Sequence, residues 1–523
     1  MRLKIQFTQL KIESYRIVEH FLHKKITTYH ELRAVNVIST ILYSTLIFFP
    51  DKIGHVLSNR VKKTVIELAP CIHGARLEEF AEASGKSVDE LADFSVNLNP
   101  LGPPRLKKLL NGASKSINYY PDNRYMGFKK AAADYLHVSP ENIVPGNGSS
   151  ELIRLFAETV IEPGDGVIIP YPTFGEYEFQ CRLFGAKVEY IEYNDIANVK
   201  PDGNKAVFLC NPNNPTGKLL RRKEVIQLAQ ICASSRVFLF VDEAFIELSN
   251  PEESVAGLAA NNDFVIALRS LTKTYAVPGL RIGFAVASLD FAKLLNNIRL
   301  PWNLNSIASS AGELFLEHNK NYIENSLLLI RKERQWLTSQ LSGIRGFKPY
   351  PSDANFILID TRDFAINSKE LAERMLRYGI IIRDCASFGL ENHIRVAVRK
   401  RSENRRLVKA FAGVVSDWGA ELAEKEIARS LERGVVARSR IDCEYYPCHF
   451  EGQDCTFCFC PFYPCEDARA GGELVKRSTG GTVWSCAKCS IIHSGDIADK
   501  VLSALMKGRK INEVWKLVME PHL

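Results

Sequence analysis

From residue 144 to 287 short apolar runs alternate with segments of helical periodicity, the pattern of a mostly parallel sheet covered by helices. The runs at 166–169, 206–209, 237–241, 264–267 and 282–285 read as buried strands. Loops carrying polar and glycine residues follow several of them, and in open α/β sheets a ligand sits where such loops gather, at the carboxyl ends of the strands. Beyond Trp302 a long helical stretch runs through Arg331 to Leu341. Three short strands follow with a helix among them, at 355–358, 380–382 and 394–398, as in a smaller α+β domain. The expected division is an extension over 1–70, an α/β body over 71–415, a charged, helix-prone linker over 416–440 and a cysteine-rich domain over 441–523.

With 523 residues, 46% hydrophobic and 24% charged, the chain has the composition of a soluble multidomain protein. The net charge of +7 is modest, and its densest basic stretch, Arg395 to Arg406, lacks the interleaved aromatics of a nucleic-acid surface. It reads as a strand end and a solvated helix face. The apolar stretch Val35 to Phe49 is shorter than the ~20 residues of a membrane span, and Asn36, Ser39, Thr40, Ser44 and Thr45 interrupt it. About thirty mixed polar residues precede it, unlike a signal peptide. Residues 1–70 therefore read as a poorly ordered extension or a start assigned too far upstream, and the protein as cytoplasmic, with neither membrane nor nucleic acid as partner. Of thirteen cysteines, eight lie between Cys443 and Cys489, which points to metal thiolates in a reducing compartment.

Five segments in the body carry chemistry in a consistent order. Gly146-Asn147-Gly148-Ser149-Ser150-Glu151 precedes an apolar-periodic helix, so its amides and the hydroxyls of Ser149 and Ser150 sit at a helix N-terminus, an anion site. Tyr171-Pro172-Thr173-Phe174-Gly175 offers Phe174 as a stacking ring. Asn211-Pro212-Asn213-Asn214-Pro215-Thr216-Gly217 follows a strand with Asn211 as a hydrogen-bond donor, and Val241-Asp242-Glu243-Ala244-Phe245 ends a strand with an acid. Ser270-Leu271-Thr272-Lys273 then places a lysine between two hydroxyls, Ser270 and Thr272, with the cation Arg281 eight residues on. A strand-end Asp is ordinarily a helix cap and a lone Phe ordinarily core. Together the five meet the needs of pyridoxal 5′-phosphate (PLP): Lys273 for covalent attachment, a phosphate cup, Asp242 under the pyridine nitrogen, Asn211 at O3′ and Phe174 on the ring.

From about Cys71 to Val415 the chain resembles the histidinol-phosphate aminotransferases and the related threonine-phosphate decarboxylases of cobalamin synthesis, on the segments NPNNPTG, VDEAF, SLTKTYAVPGLRIGF and GNGSSELI. The resemblance implies the PLP-dependent transferase fold type I and a homodimer in which Tyr120 reaches the partner's cofactor phosphate. Phe245 departs from the tyrosine many aminotransferases place there. Arg395 matches the family's α-carboxylate arginine. Arg383 resembles the decarboxylase's second arginine, assigned to the substrate phosphate. Cys71-Ile72-His73-Gly74-Ala75 resembles the decarboxylase's His-Gly-Gly arm, of which His73 and Gly74 carry over. Which bond of the substrate breaks depends on which stands perpendicular to the cofactor ring, so the residues gripping carboxylate and phosphate decide the reaction. They favour decarboxylation of O-phospho-L-threonine, with Lys273 returning a proton to the α-carbon. The alternatives are histidinol-phosphate transamination and a PLP-binding scaffold without turnover. A fused second step such as threonine phosphorylation finds no Walker-type loop here.

The tail reads Cys443-x4-Cys448-x6-Cys455-x2-Cys458-x-Cys460-x4-Cys465, then Cys486-x2-Cys489 and His493. Spacing pairs Cys455 and Cys458 with Cys486 and Cys489 around one ion, leaving the others for a second site. Zinc suits such spacing, and an iron–sulfur cluster is the alternative. The tail also resembles a small cysteine-rich domain fused to archaeal forms of the decarboxylase.

Overall fold

The structure, a computed structural model, describes residues 60–104, 117–318, 320–344, 346–364, 366–476 and 482–523. The chain divides into two units, Met1–Ala69 and Pro70–Leu523. In the first, the described residues form one short helix, Lys63–Glu67. The apolar stretch Val35 to Phe49, and with it most of the expected extension, lies outside the described residues.

In the second unit a two-residue strand, β1 (Ala92–Asp93), precedes seven strands that share one sheet: β2 (Ile143–Gly146), β3 (Gly166–Tyr171), β4 (Lys187–Glu192), β5 (Ala206–Cys210), β6 (Phe238–Asp242), β7 (Val265–Ser270) and β8 (Gly283–Val286). Their spatial order is β2-β8-β7-β6-β5-β3-β4. β3 to β7 pair parallel, and β8 runs antiparallel to both its neighbours. The period-2 alternation of side chains sends Val207, Leu209, Leu239 and Val241 into one core and Phe208, Phe240, Ile266 and Leu268 into another, one on each face. Burial on both faces is why these strands read as continuous apolar runs. Parallel pairing also brings the ends of β3, β5, β6 and β7 to one edge, with Cys210 opposite Asp242.

Three helices position the site: α1 (Ser149–Val160) after β2, α2 (Glu176–Leu183) after β3, and the single turn α3 (Leu271–Thr274) after β7. The smaller domain holds α4 (Lys320–Ser342) and a four-stranded sheet of β9 (Lys348–Pro349), β10 (Phe356–Asp360), β12 (Arg383–Asp384) and β13 (His393–Ala397), ordered β12-β13-β10-β9. β11 (Ile380–Ile381) pairs instead with β1, stitching the start of the body to this domain. The expected linker, as far as Arg433, is the second half of one 33-residue helix, α5 (Arg401–Arg433), that starts in the small domain and ends against the tail. There Ser430 Oγ donates to the Thr456 carbonyl (2.9 Å), and Gly419 leaves a Cβ only 3.0 Å from the Tyr463 ring. The tail has a hairpin, β14 (Glu473–Lys476) with β15 (Thr482–Ser485), a helix, α6 (Gly495–Met506), and its own core of Phe457, Phe462, Ile492 and Val501.

Candidate active site

Lys273 stands on α3 at the carboxyl end of β7, its carbonyl accepting from the Asn99 amide (3.1 Å). Its amine is drawn down to about 8, by burial first, then by the charges of Arg395 and Arg281, against the pull of Asp93. The fold thus gathers three cations and one acid from distant parts of the sequence. Arg281 reaches the N-terminus of α1: a Cβ on Gly148 would lie 2.6 Å from its Nη2. Gly148 is required there on two counts, for that close approach and for its φ of +79°. Ser149 Oγ and Ser270 Oγ meet at 3.1 Å beside this cup, and Ser150 is exposed in the first turn of the helix. Thr272 is a correction. Its hydroxyl is buried and donates to the Ile282 carbonyl (3.3 Å), so it fixes the turn and is not presented to a ligand.

Asp242 is buried at the end of β6. Burial pushes its carboxyl up to about 6 although Tyr177 Oη (2.6 Å) and the Ala244 amide (2.9 Å) both donate to it. A buried carboxyl with no cation among its recorded partners fits a ligand that brings the positive charge, as a protonated pyridine nitrogen does. Tyr177 escaped the sequence because a tyrosine inside a helix looks like core. Phe174 is half-buried with its ring centre 5.7 Å from that of Tyr177. Asn211 is the second correction. Its amide nitrogen donates to the Leu220 carbonyl (3.0 Å) and its oxygen accepts from the Leu220 amide (2.8 Å), so both its polar atoms are turned to the backbone of Leu220. Asn214, three residues on, faces the site: its oxygen accepts from Arg395 Nη1, which leaves its amide nitrogen as a donor.

Arg383 and Arg395 are direct cross-strand partners on β12 and β13, both buried. Burial lowers both guanidiniums, Arg395 to about 10. Arg395 donates to the Ser95 carbonyl (2.8 Å) and lies over the Phe356 ring, while its Nε is buried without a partner among the described residues. Ser95 Oγ and Asn97 Oδ1 are in the same condition, and no motif singled them out in the sequence. Arg383 donates to the Ile72 carbonyl (2.7 Å) and to Ser387 Oγ (2.6 Å). The next arm residue, His73, is held at Nε2 by Glu176 (2.7 Å), and Gly74 passes close to Ser95. Tyr120 is 79% exposed and packs on Trp302, ring centres 4.5 Å apart.

The family model for aminotransferase class I and II matches residues 89–411. The chain belongs to this family. Its body is the PLP-dependent fold type I, as expected. A histidinol-phosphate aminotransferase from Methanocaldococcus jannaschii is 30% identical over 69% of this chain and 99% of that protein. The adenosylcobalamin biosynthesis bifunctional protein CobDQ of Leptospira interrogans is 36% identical over 65% of this chain, but the match spans 41% of CobDQ. The crystal structure of L-threonine-O-3-phosphate decarboxylase from Porphyromonas gingivalis superposes with a TM-score of 0.57 at 25% identity, covering 62% of this chain and 99% of that one.

The aminotransferase body ends before the tail, whose residues 435–515 match the model of a cysteine-rich small domain. Its thiols sort into two groups. Burial raises the Cys458 thiol, and the neighbouring Cys448, Cys455 and Cys443 raise it further. Cys460, pushed up to about 12 by burial, has Cys486, Cys489 and Cys465 as its neighbours. Gln453 Nε2 supports the first group, donating to Cys448 Sγ (3.0 Å) and Cys455 Sγ (3.6 Å). The pairing expected from spacing, Cys455 and Cys458 with Cys486 and Cys489, thus draws from two groups. His493 is buried and bonded through Nδ1 to the Asp454 carbonyl (3.1 Å). Among the described residues no three such side chains converge on one point. The donor chemistry, four thiols and four thiols, is that of a thiophilic metal.

Proposed function

We propose that this protein decarboxylates O-phospho-L-threonine with PLP, releasing CO2 and leaving (R)-1-aminopropan-2-yl phosphate for cobalamin synthesis. The observation that carries the reading is the Arg383–Arg395 pair. Like charges directly across a ladder repel, and two buried guanidiniums side by side call for anions between them. O-phosphothreonine brings a carboxylate and a phosphate, whereas histidinol phosphate brings a phosphate alone. Arg395, positioned by Ser95 and Asn214, takes the carboxylate in a bidentate grip. Arg383 and His73 take the phosphate. Ser149, Ser150, Ser270 and Arg281 hold the cofactor phosphate, Phe174 covers the ring, Asn214 donates to O3′ and Asp242 keeps the ring nitrogen protonated. PLP, when bound, supplies the electron sink for the pair left on the α-carbon as CO2 departs. Lys273 anchors the cofactor. Set free when the substrate's amine takes its place, its amine then returns a proton to that carbon.

Purified enzyme given O-phosphothreonine is expected to release CO2 with no keto acid present, and Lys273→Ala to lose both turnover and the cofactor's visible absorbance. Consumption of histidinol phosphate only when 2-oxoglutarate is supplied, with no CO2 from phosphothreonine, makes the enzyme a transaminase and sinks the reading.

Two further assignments belong to this proposal. Ile117, Tyr119, Tyr120, Leu300 and Trp302 form an exposed apolar surface, and Arg299 ties its two segments together by donating to the Asn123 carbonyl (2.7 Å). A second copy of the chain covers it and receives Tyr120 at its cofactor phosphate. In the tail, each group of four cysteines is assigned to a zinc ion that would draw together thiols not converging here, with an iron–sulfur cluster as the competing occupant. Metal analysis of anaerobically purified protein is expected to find about two zinc ions per chain and no visible charge-transfer absorption. Iron with sulfide overturns the zinc assignment.

A further inference from the structure

We infer that Glu176 is a positioning residue that latches the arm Cys71–Gly74 over the site through His73. The inference rests on the proposed reading for the identity of the substrate, a phosphorylated amino acid, and on geometry for the latch itself. Among the described residues no strand pairing holds 70–75 to the body. The arm is fastened by side-chain contacts instead. Arg383 takes the Ile72 carbonyl, while His73 turns to Glu176. The two sides of that contact are unequal: the His73 side chain is 50% exposed and that of Glu176 only 9%. A buried carboxylate needs donors, and Glu176 has two, His73 Nε2 at 2.7 Å and Gln180 Nε2 at 3.0 Å. The Cys71 sulfur packs on this same turn, 3.6 Å from where a Cβ on Gly175 would stand. Burial, then the charge of Glu176, pushes this thiol up to about 12, so it keeps its proton.

The placement of Glu176 couples the arm to the cofactor. It is the first residue of α2, two positions beyond Phe174, whose ring centre lies 5.9 Å from that of His73. One turn therefore carries both the ring that covers the cofactor and the carboxylate that orients the arm. With Nε2 of His73 held by Glu176, Nδ1 is the ring atom left to face a substrate phosphate.

The test is a double-mutant cycle in the holoenzyme. Glu176→Gln is expected to raise KM for O-phosphothreonine about tenfold with kcat changed by less than about threefold, the signature of lost binding that is equal in ground and transition states. His73→Ala should do the same, and the double variant should be no worse than either single one, because the two residues act as a unit. Hydrogen exchange without substrate gives an independent reading: the peptide over 70–76 should exchange at least about fivefold faster in Glu176→Gln and in His73→Ala, with the cofactor's absorbance unchanged. His73, half-exposed, can be replaced without risk to the fold. Wild-type exchange in the arm of Glu176→Gln, or KM effects that multiply in the double variant, overturns the latch. Failure to turn over O-phosphothreonine condemns the proposed function alone, since the exchange measurement decides the latch without a substrate.

Discussion

Burial works against the charged form of both Lys273 and Asp242, and each consequence is useful in a different way. The Lys273 amine at about 8 is ready to gain or lose a proton near neutrality, while the Asp242 carboxyl at about 6 is ionised at a cost in stability. The sign follows from linkage. Between the ordinary 3.8 and about 6 the folded chain holds a proton that the unfolded chain has lost, so stability of the cofactor-free protein falls as pH rises through that window and stays low above it. Asp242→Asn is therefore expected to stabilise the cofactor-free protein at pH 7 by on the order of 2–3 kcal/mol, to leave it little changed near pH 4, and to abolish activity. Denaturant melts of the two proteins at both pH values check this, and equal stability at pH 7 contradicts it. Asp242 and Lys273 were legible in the sequence because one ends a strand and the other follows one, and Arg395 because its segment resembles the family's. Asn211 was not distinguishable from Asn214, as both lie in one asparagine-rich turn and only the fold shows that Leu220 takes up the first.

Adjacent strands add what single residues do not reveal. The sequence marks Arg383 and Arg395 separately, but their register on β12 and β13 sets them side by side, as the anion clamp proposed above requires. Such a clamp is relieved by the anion it binds. Inorganic phosphate at tens of millimolar is expected to raise the melting temperature of the holoenzyme, and Arg383→Gln to abolish that shift. The same variant should lose about 10²–10³-fold in kcat/KM for O-phosphothreonine, the scale set by removing one partner of a buried charge contact. A phosphate shift that survives in Arg383→Gln would place the anion elsewhere. The strands buried on both faces were legible as apolar runs. β4 was not, because it is an edge strand whose side chains are exposed or half-exposed, and its sequence, Lys187-Val188-Glu189-Tyr190-Ile191-Glu192, has no continuous apolar stretch. Asp93 is brought near Lys273 by β1, a strand of two residues, too short to leave a pattern.

At the scale of the whole second unit, α5 decides how the tail relates to the enzyme. A charged, helix-prone stretch looks like a linker in sequence, yet here 33 residues form one helix, about 50 Å long, rooted in the small domain's core through Leu407, Phe411 and Val414. Its far end lies against the tail, where Ser430 bonds Thr456. The tail's own core, around Phe457, Phe462, Val501 and Val518, is small and separate from the cores of the body. Domains of this size ordinarily need a metal or disulfides to stay folded, and all eight tail cysteines are free thiols. On the proposed metal assignment, binding to those thiols is folding energy for the tail, while the body keeps its stability from the two sheet cores. Removing metal from the holoenzyme with a strong chelator under reducing conditions should therefore unfold 441–523 alone. Hydrogen exchange is expected to rise throughout the tail and the last turns of α5, with the main thermal transition and the PLP absorbance unchanged. A single transition that shifts as a whole would mean instead that the helix transmits the tail's stability into the active-site domain.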